Sequence, residues 1–250
     1  MVVHTMSAAM EILPQDRLFV LTGAGISAES GIPTFRGQDG LWEGHRIEDV
    51  ATPRAFALDP QLVWRFYSMR RAHALKCKPN PAHVALAQLE EKLGERMLVC
   101  TQNVDSLHEL AGSKCVIHMH GELFKSRCSN ARCATKPFDD VKTYQNRSDI
   151  PACTRCGALI RPHICWFGEI PFRMDEILDH LQRCTVFLTV GTSGVVQPAA
   201  SFVEVARQIG ARTCYVGPEN PANAGAFDEV VLGPAGERIP EMLRSLIKPA

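Results

Sequence analysis

The apolar positions of this chain fall in short closed runs separated by polar turns. Residues 17–21 (RLFVL) form one such run and pass directly into TGAG at 22–25. A buried strand ending in a glycine turn is the natural reading. A helix is predicted after that turn, with Pro33 limiting its length. Residues 39–80 read as helical and irregular, with no strand runs, punctuated by Pro53, Pro60 and Pro79 and followed by Pro81. Within them, 64–71 has helical propensity. Leu86, Leu89 and Leu93 set a helical stripe over 83–93, with Gly94 as its cap. Residues 97–100 form a second strand leading into TQNVD at 101–105, and 116–118 a third that ends at His120 and Gly121. The segment 121–164 is polar and turn-rich, with no periodicity long enough for a core of its own. Alternation then resumes. It predicts a helix at 175–183, a strand at 185–190 running into GTS at 191–193, and a helix at 198–209 with Phe202, Val205, Ala206 and Ile209 on one face. Strands at 213–216 and 229–232 follow, with a last helix from about residue 239.

Strands that alternate with helices belong to the α/β class, a doubly wound parallel sheet of Rossmann-like type. In such sheets the ligand crevice lies beyond the carboxyl ends of the strands. The turns TGAG, TQNVD, HGE and GTS are therefore expected to meet in one cleft. The segments 39–80 and 121–164 are then insertions forming a smaller lobe over it.

Composition narrows the function classes. Among 250 residues, 27 Lys and Arg balance 27 Asp and Glu, which disfavours a globally basic nucleic-acid binder. No apolar run approaches the ~20 residues of a membrane helix. The N-terminal residues carry no basic stretch ahead of an apolar one, so no signal peptide is read and a cytoplasmic location is expected. The ten cysteines are not spaced as a secreted disulfide framework.

Four of those cysteines form two pairs, Cys128-x4-Cys133 and Cys153-x2-Cys156, separated by nineteen residues. Two knuckles of this kind bring four thiolates to one tetrahedral Zn²⁺. A full thiolate set leaves no open coordination position, so one structural zinc is expected. The glycines at 23 and 25 suit close backbone approach to a pyrophosphate, with Ala28 at the third position of the motif, and a tight strand–helix turn explains them equally. An ordinary NAD dehydrogenase would also place an acidic residue at the end of the second strand, and Asp39 is too close and follows no strand. His118 and His120 share a face if their strand continues. His120, beside Gly121, is read as a general base presented to the cleft, and His118 as a satisfied structural histidine. Tyr67 and Arg70 share a helical face. They could bind a carboxylate, although the local pattern alone favours a surface helix with a cation.

Together these motifs resemble the sirtuin family of NAD-dependent protein deacylases. The resemblance rests on GAGISAESGIPTFRG at 23–37, TQNVD, His120-Gly121, the paired cysteines, WFGE at 166–169 and GTS, across roughly residues 14–246. It implies a discontinuous NAD-binding domain made of 14–38, 84–120 and 165–246, with a helical module at 39–83 and a zinc module at 121–164. It implies NAD consumed as a co-substrate, held by Gly23, Ala24, Gly25, Glu29, Pro33, Thr34, Phe35, Arg36, Trp42, Gln102, Asn103, Val104 and Asp105. Gly191, Thr192, Ser193, Gly217 and Ala235 are implied on the adenosine side. His120 matches the catalytic base, with Asn103 beside it. Cys165, Phe167, Gly168 and Glu169 match the segment that pairs with the substrate peptide, and Ile164, Trp166 and Phe167 form an apolar rim for the lysine stem. The acyl-lysine oxygen is implied to attack the ribose as nicotinamide leaves, ending in deacylated lysine and O-acyl-ADP-ribose. Sirtuins that remove succinyl or malonyl groups carry a Tyr-x-x-Arg pair where Tyr67 and Arg70 stand.

Two positions depart from the family pattern. Gly217-Pro-Glu219-Asn220 stands where an Asn-x-Glu is usual, and Cys165 replaces a Val, which raises the expectation of an oxidation-sensitive thiol. The implied partners are acyl-lysine proteins or peptides, with no membrane, no nucleic acid, and a monomer or weak oligomer. Mono-ADP-ribosyl transfer to protein is an alternative activity. A zinc-dependent nucleic-acid module is another, and the zero net charge speaks against it.

Overall fold

A computed structural model describes residues 10, 12–34, 41–42 and 44–247. Its strands, in chain order, are β1 (Leu18–Thr22), β2 (Leu41–Trp42), β3 (His45–Arg46), β4 (Met97–Thr101), β5 (Val116–His118), β6 (Gly121–Cys128), β7 (Phe138–Asp139), β8 (Ile160–Ile164), β9 (Val186–Val190), β10 (Arg212–Gly217) and β11 (Glu229–Leu232). The helices are α1 (Ala24–Ser27), α2 (Ile47–Val50), α3 (Pro53–Leu58), α4 (Pro60–Ala74), α5 (Pro81–Leu93), α6 (Leu107–Ala111), α7 (Met174–Leu181), α8 (Phe202–Gln208) and α9 (Ala235–Met242).

Six strands form one parallel sheet in the order β11-β10-β9-β1-β4-β5. From β1 the chain moves outward through β4 and β5, then returns to the other side of β1 for β9, β10 and β11. The direction of winding therefore reverses between β1 and β9, where a doubly wound sheet opens its crevice. Every residue of β1, β4 and β9 is buried, which is why these strands read as unbroken apolar runs. One sheet face packs against α5 and α9 through residues such as Leu86, Leu89, Ile239 and Leu243. The other packs against α7 and α8 through Ile177, Leu181, Phe202 and Val203.

The smaller lobe departs from the sequence reading in two places. The segment 39–80 contains the short hairpin β2–β3, too brief to leave a periodic signal. The segment 121–164 contains a three-stranded antiparallel sheet, β7-β6-β8. Its apolar residues have no core of their own because they share one with the helical insertion. Leu123, Tyr144, Ile150 and Ile160 pack with Val63, Trp64, Phe66 and Tyr67 of α4. Arg71, with no exposed surface, clips α4 to this sheet. It donates to the carbonyls of Leu123, Lys142 and Lys125 and pairs with Asp140 at 3.3 Å. The last helix begins at Ala235 rather than near residue 239, because Pro240 lies inside the helix instead of near its start. The predicted helix at 198–209 is 3₁₀ over Ala199–Ser201 before α8. No helix among the described residues is long and apolar enough to cross a membrane.

Candidate functional site

The carboxyl ends of β1, β4 and β9 open into a cleft of about 500 Å³ that also takes in the edge of the smaller lobe. Gly23, Ala24 and Gly25 line it beside Gly191, Thr192 and Ser193. The two glycine turns pack backbone on backbone: Gly25 donates its N–H to the Gly191 carbonyl at 2.7 Å. A Cβ on Gly25 would lie 2.7 Å from Gly191 Cα, and one on Gly191 (φ 63°) would lie 2.4 Å from Ile26 N. These glycines are thus needed first by each other, so strand–strand closure accounts for them before any phosphate does.

The TQNVD loop is fastened from below. Thr22 and Thr101 are register partners whose hydroxyls bond at 2.8 Å, and Thr101 Oγ1 also accepts from the Asn103 N–H at 3.0 Å. Asn103 Nδ2 donates to the Gly23 carbonyl and to Ser27 Oγ, both at 3.1 Å. Ser27 in turn donates to Asp105 at 3.1 Å. Burial raises the Asp105 carboxyl above its usual range despite the bonds from Leu107 and Ser27. Ser27, fully buried, is a hub that the sequence reading did not single out. It lies inside the first motif without belonging to its glycine pattern.

His118 and His120 hold consecutive carbonyls of this loop. His120 Nδ1 faces the Gln102 carbonyl at 3.2 Å, and His118 Nδ1 faces the Asn103 carbonyl at 3.0 Å. A carbonyl only accepts, so each Nδ1 carries the proton. His120 Nε2 is then left with its lone pair, and burial lowers the pKa of the ring, keeping it neutral. His118 differs because its Nε2 meets Glu109 at 2.7 Å. Both of its partners are acceptors, so the ring is an imidazolium. Burial pulls its pKa down, and the bond it donates to Glu109, that carboxylate's charge and the Asn103 carbonyl together more than reverse this, leaving it raised.

From the small lobe, Tyr67 and Arg70 of α4 enter the same cleft. The helix face bearing Tyr67 is not the surface face that the local pattern favoured. Tyr67 is completely buried, and the Arg70 guanidinium carbon lies 6.0 Å from its ring centroid. Trp166 Nε1 donates to the Tyr67 hydroxyl at 3.0 Å.

The 165–169 segment is a loop following β8. Cys165 N–H is taken by the His120 carbonyl at 2.8 Å and Phe167 N–H by the Ala51 carbonyl at 3.0 Å. The Gly168 N–H has no partner among the described residues, and Phe167 is 46% exposed while Trp166 is only 2% exposed. Of the expected apolar rim, Phe167 alone is open to solvent. Glu169 is committed to the protein. Its carboxylate accepts from Arg161 at 2.7 and 2.9 Å, from Arg127 at 3.1 Å and from Trp166 N–H at 2.8 Å. Burial and the Glu169 carboxylate push the Cys165 thiol up to about 11. At neutral pH it is a thiol rather than a thiolate, which removes the basis for expecting easy oxidation.

Pro33, Thr34, Gln102 and Val104 also line the cleft. Phe35 and Arg36 lie outside the described residues, as does the side chain of Trp42. Glu29, Gly217 and Ala235 are not among the lining residues. Glu29 accepts from the Gly236 N–H at 2.7 Å, tying the 3₁₀ turn after α1 to the start of α9, and Ala235 is buried there. Walls that the sequence reading missed include Ala51, Val196, Gln197 and Tyr215, which no motif marks. Asn220 and Glu219, the residues of the departing turn, do line the cleft.

Away from the cleft, the sulfurs of Cys128, Cys133, Cys153 and Cys156 lie within 4.8 Å of one another. Four thiolates at tetrahedral Zn–S distances of about 2.3 Å would stand ~3.8 Å apart. The set fits a zinc ion with no vacant position.

The chain matches the Sir2 family over residues 23–198. The chain belongs to this family. Curated sirtuin relatives include the NAD-dependent protein deacylase of Vibrio cholerae serotype O1, 47% identical over 237 residues that cover 94% of this chain and 95% of that protein. The NAD-dependent protein deacylase of Salmonella typhimurium is 48% identical over 240 residues, covering 95% of this chain and 86% of that one. Among solved sirtuins, a Sir2 homologue in complex with NAD superposes with a TM-score of 0.81 at 41% identity, over 93% of this chain and 90% of that chain. A Sir2 complex with a deacetylated peptide and 3′-O-acetyl ADP-ribose gives a TM-score of 0.77 at 32% identity, over 94% and 96%.

Proposed function

We propose that this sirtuin is an NAD-dependent protein-lysine deacylase that removes succinyl and malonyl as well as acetyl groups. One observation carries the reading: a neutral histidine whose Nε2 has no partner among the described residues lines the same cleft as Tyr67 and Arg70. In this reading Gly23, Ala24, Gly25, Pro33 and Thr34 receive the phosphates and nearer ribose of NAD, and Gly191, Thr192 and Ser193 the adenosine side. Asn103 and Asp105 face the nicotinamide ribose. NAD supplies the glycosidic bond whose loss makes the ribose able to take the acyl group.

The residues of the chain orient, exclude water and move one proton. The Gln102 carbonyl fixes the His120 tautomer, so Nε2 can take a proton from a ribose hydroxyl, and burial keeps the ring from being protonated beforehand. The Gly168 N–H is available to a peptide backbone entering beside Phe167. Buried apolar walls at Ile164, Trp166 and Ala51 exclude water from the lysine stem. At the far end, Arg70 and the Tyr67 hydroxyl receive the distal carboxylate of an acidic acyl group. A charge-assisted contact of this kind is worth ~1.5–3 kcal/mol, or roughly tenfold to a hundredfold.

The test uses two peptides differing only in succinyl- or acetyl-lysine, with and without NAD, read by mass spectrometry. Arg70→Met is expected to lower the succinyl kcat/KM about tenfold or more while changing the acetyl value far less. Equal losses on both peptides would overturn the acid-recognition reading. Loss of NAD dependence would overturn the whole.

A further inference from the structure

The indole N–H of Trp166 is a donor only, so at 3.0 Å it occupies an acceptor lone pair of the Tyr67 hydroxyl. The phenol's own proton has no acceptor among the described residues, and burial pushes its pKa up to about 12, so that proton stays on. The indole cannot turn away. The Arg161 guanidinium lies 3.3 Å from its ring centroid, and Phe56 stands 5.5 Å away on centroids. Arg161 is itself held by two bonds to Glu169 and one of 2.8 Å to the Ile164 carbonyl. A chain of contacts thus runs from Glu169 through Arg161 and Trp166 to a buried phenol.

We propose that Trp166 is a specificity-determining positioning residue. By filling the acceptor side of Tyr67, it makes the phenol a donor. With the Arg70 guanidinium 6.0 Å from its ring, two donor groups then stand together on this wall of the cleft. Such a wall fits a terminal group that only accepts, a carboxylate, and penalises a terminal carboxamide of the same shape, whose N–H₂ finds no acceptor. Charge alone would favour succinyl over its amide through Arg70. Trp166 adds a second, hydrogen-bond polarity term that acts through Tyr67. This inference rests on the proposal that Tyr67 and Arg70 receive the distal end of the acyl group.

The experiment compares three peptides bearing succinyl-lysine, its terminal carboxamide isostere and acetyl-lysine, with kcat/KM measured for each. The protein is tested as wild type, Trp166→Phe, Tyr67→Phe, the double variant and Arg70→Met. Wild type is expected to prefer succinyl over the carboxamide by more than about tenfold, the size of one misplaced buried donor added to the charge effect. Trp166→Phe frees the phenol to accept and should narrow that ratio about three- to tenfold. In the Tyr67→Phe background the same change should move the ratio less than about twofold, because the group it acts through is gone. The wall that Trp166 gives the lysine stem affects all three peptides alike, so the ratio decides: an unchanged succinyl-to-carboxamide ratio in Trp166→Phe, or a shift that persists without Tyr67, would overturn the proposal. Parity of succinyl and carboxamide in wild type would overturn it without any variant, should Trp166→Phe not fold. If Arg70→Met and Tyr67→Phe leave every ratio unchanged, the pocket assignment itself falls. If they shift the ratios and Trp166→Phe does not, only the role of Trp166 falls.

Discussion

Replacing Glu169 by Gln removes one charge and turns one acceptor oxygen into a donor. Each carboxylate oxygen accepts two bonds: Oε1 from Arg161 and Arg127, Oε2 from Arg161 and the Trp166 N–H. Whichever oxygen becomes the amide nitrogen, two donors lose their acceptor. The guanidiniums of Arg161 and Arg127 are then left near each other without a counter-ion, at 6% and 24% side-chain exposure. Two bonds to a charged group at about 1.5–3 kcal/mol each, reduced because Glu169 keeps 22% of its side-chain surface, give a loss of ~3 kcal/mol. For a chain of this size that lowers Tm by roughly 6–12 °C. Burial raises the Glu169 carboxyl and the Arg161 bonds outweigh it, so its folded pKa lies below the model-compound value of 4.5. Its contribution is therefore full above that value and lost as pH falls through the folded pKa. The Tm gap between wild type and Glu169→Gln should be constant near neutrality and close in acid. Trp166 amide exchange should also accelerate, since that N–H has lost its anchor. A Tm change below about 2 °C at pH 7, or a gap that widens in acid, would refute the reasoning.

Three other outcomes follow from the same structure. Purified protein should carry one zinc per chain by metal analysis, and Cys153→Ser should lose both zinc and thermal stability; full stability without zinc would contradict the tetrahedral assignment. His118 has a raised pKa, so the stability it lends is present in acid and fades as pH climbs past its folded value. Glu109→Gln should abolish that alkaline decline, and an unchanged Tm profile above pH 6.5 would count against a buried imidazolium. Dilute peroxide at neutral pH should leave Cys165 unmodified by peptide mass mapping, because its thiol sits near 11; rapid sulfenic acid formation there would show the environment has been misjudged.

Much of this molecule was legible in its sequence because the central sheet strands β1, β4 and β9 are buried on both faces. Runs such as those of β1, β4 and β9 then need no alternation to be recognised, and each ends in a polar turn that the parallel topology gathers into one place. The four cysteines were readable from spacing alone because metal chelation constrains it locally. The small lobe was opaque for the opposite reason. Leu123, Tyr144 and Ile160 gain their core only by contact with α4, about fifty residues or more away in the chain, and no local window records that. Tyr67 shows the same limit, since its helix carries polar and charged residues on several sides and only the docking of β6 and β8 decides which face is buried. Glu169 and Glu29 lie in recognisable motifs, yet their carboxylates bond to Arg161 and to the Gly236 amide. Such pairings depend on tertiary approach, as does the hub at Ser27.

The most direct test of the account is a product balance. Wild type and His120→Ala would be incubated with NAD and a succinyl-lysine peptide, and nicotinamide, free lysine peptide and O-acyl-ADP-ribose counted by mass spectrometry. The account predicts one nicotinamide and one O-succinyl-ADP-ribose for every lysine unmasked, and neither free lysine peptide nor O-succinyl-ADP-ribose with His120→Ala. Nicotinamide release by wild type with the succinyl group still in place, accompanied by a gain of ADP-ribose mass on protein, would contradict it.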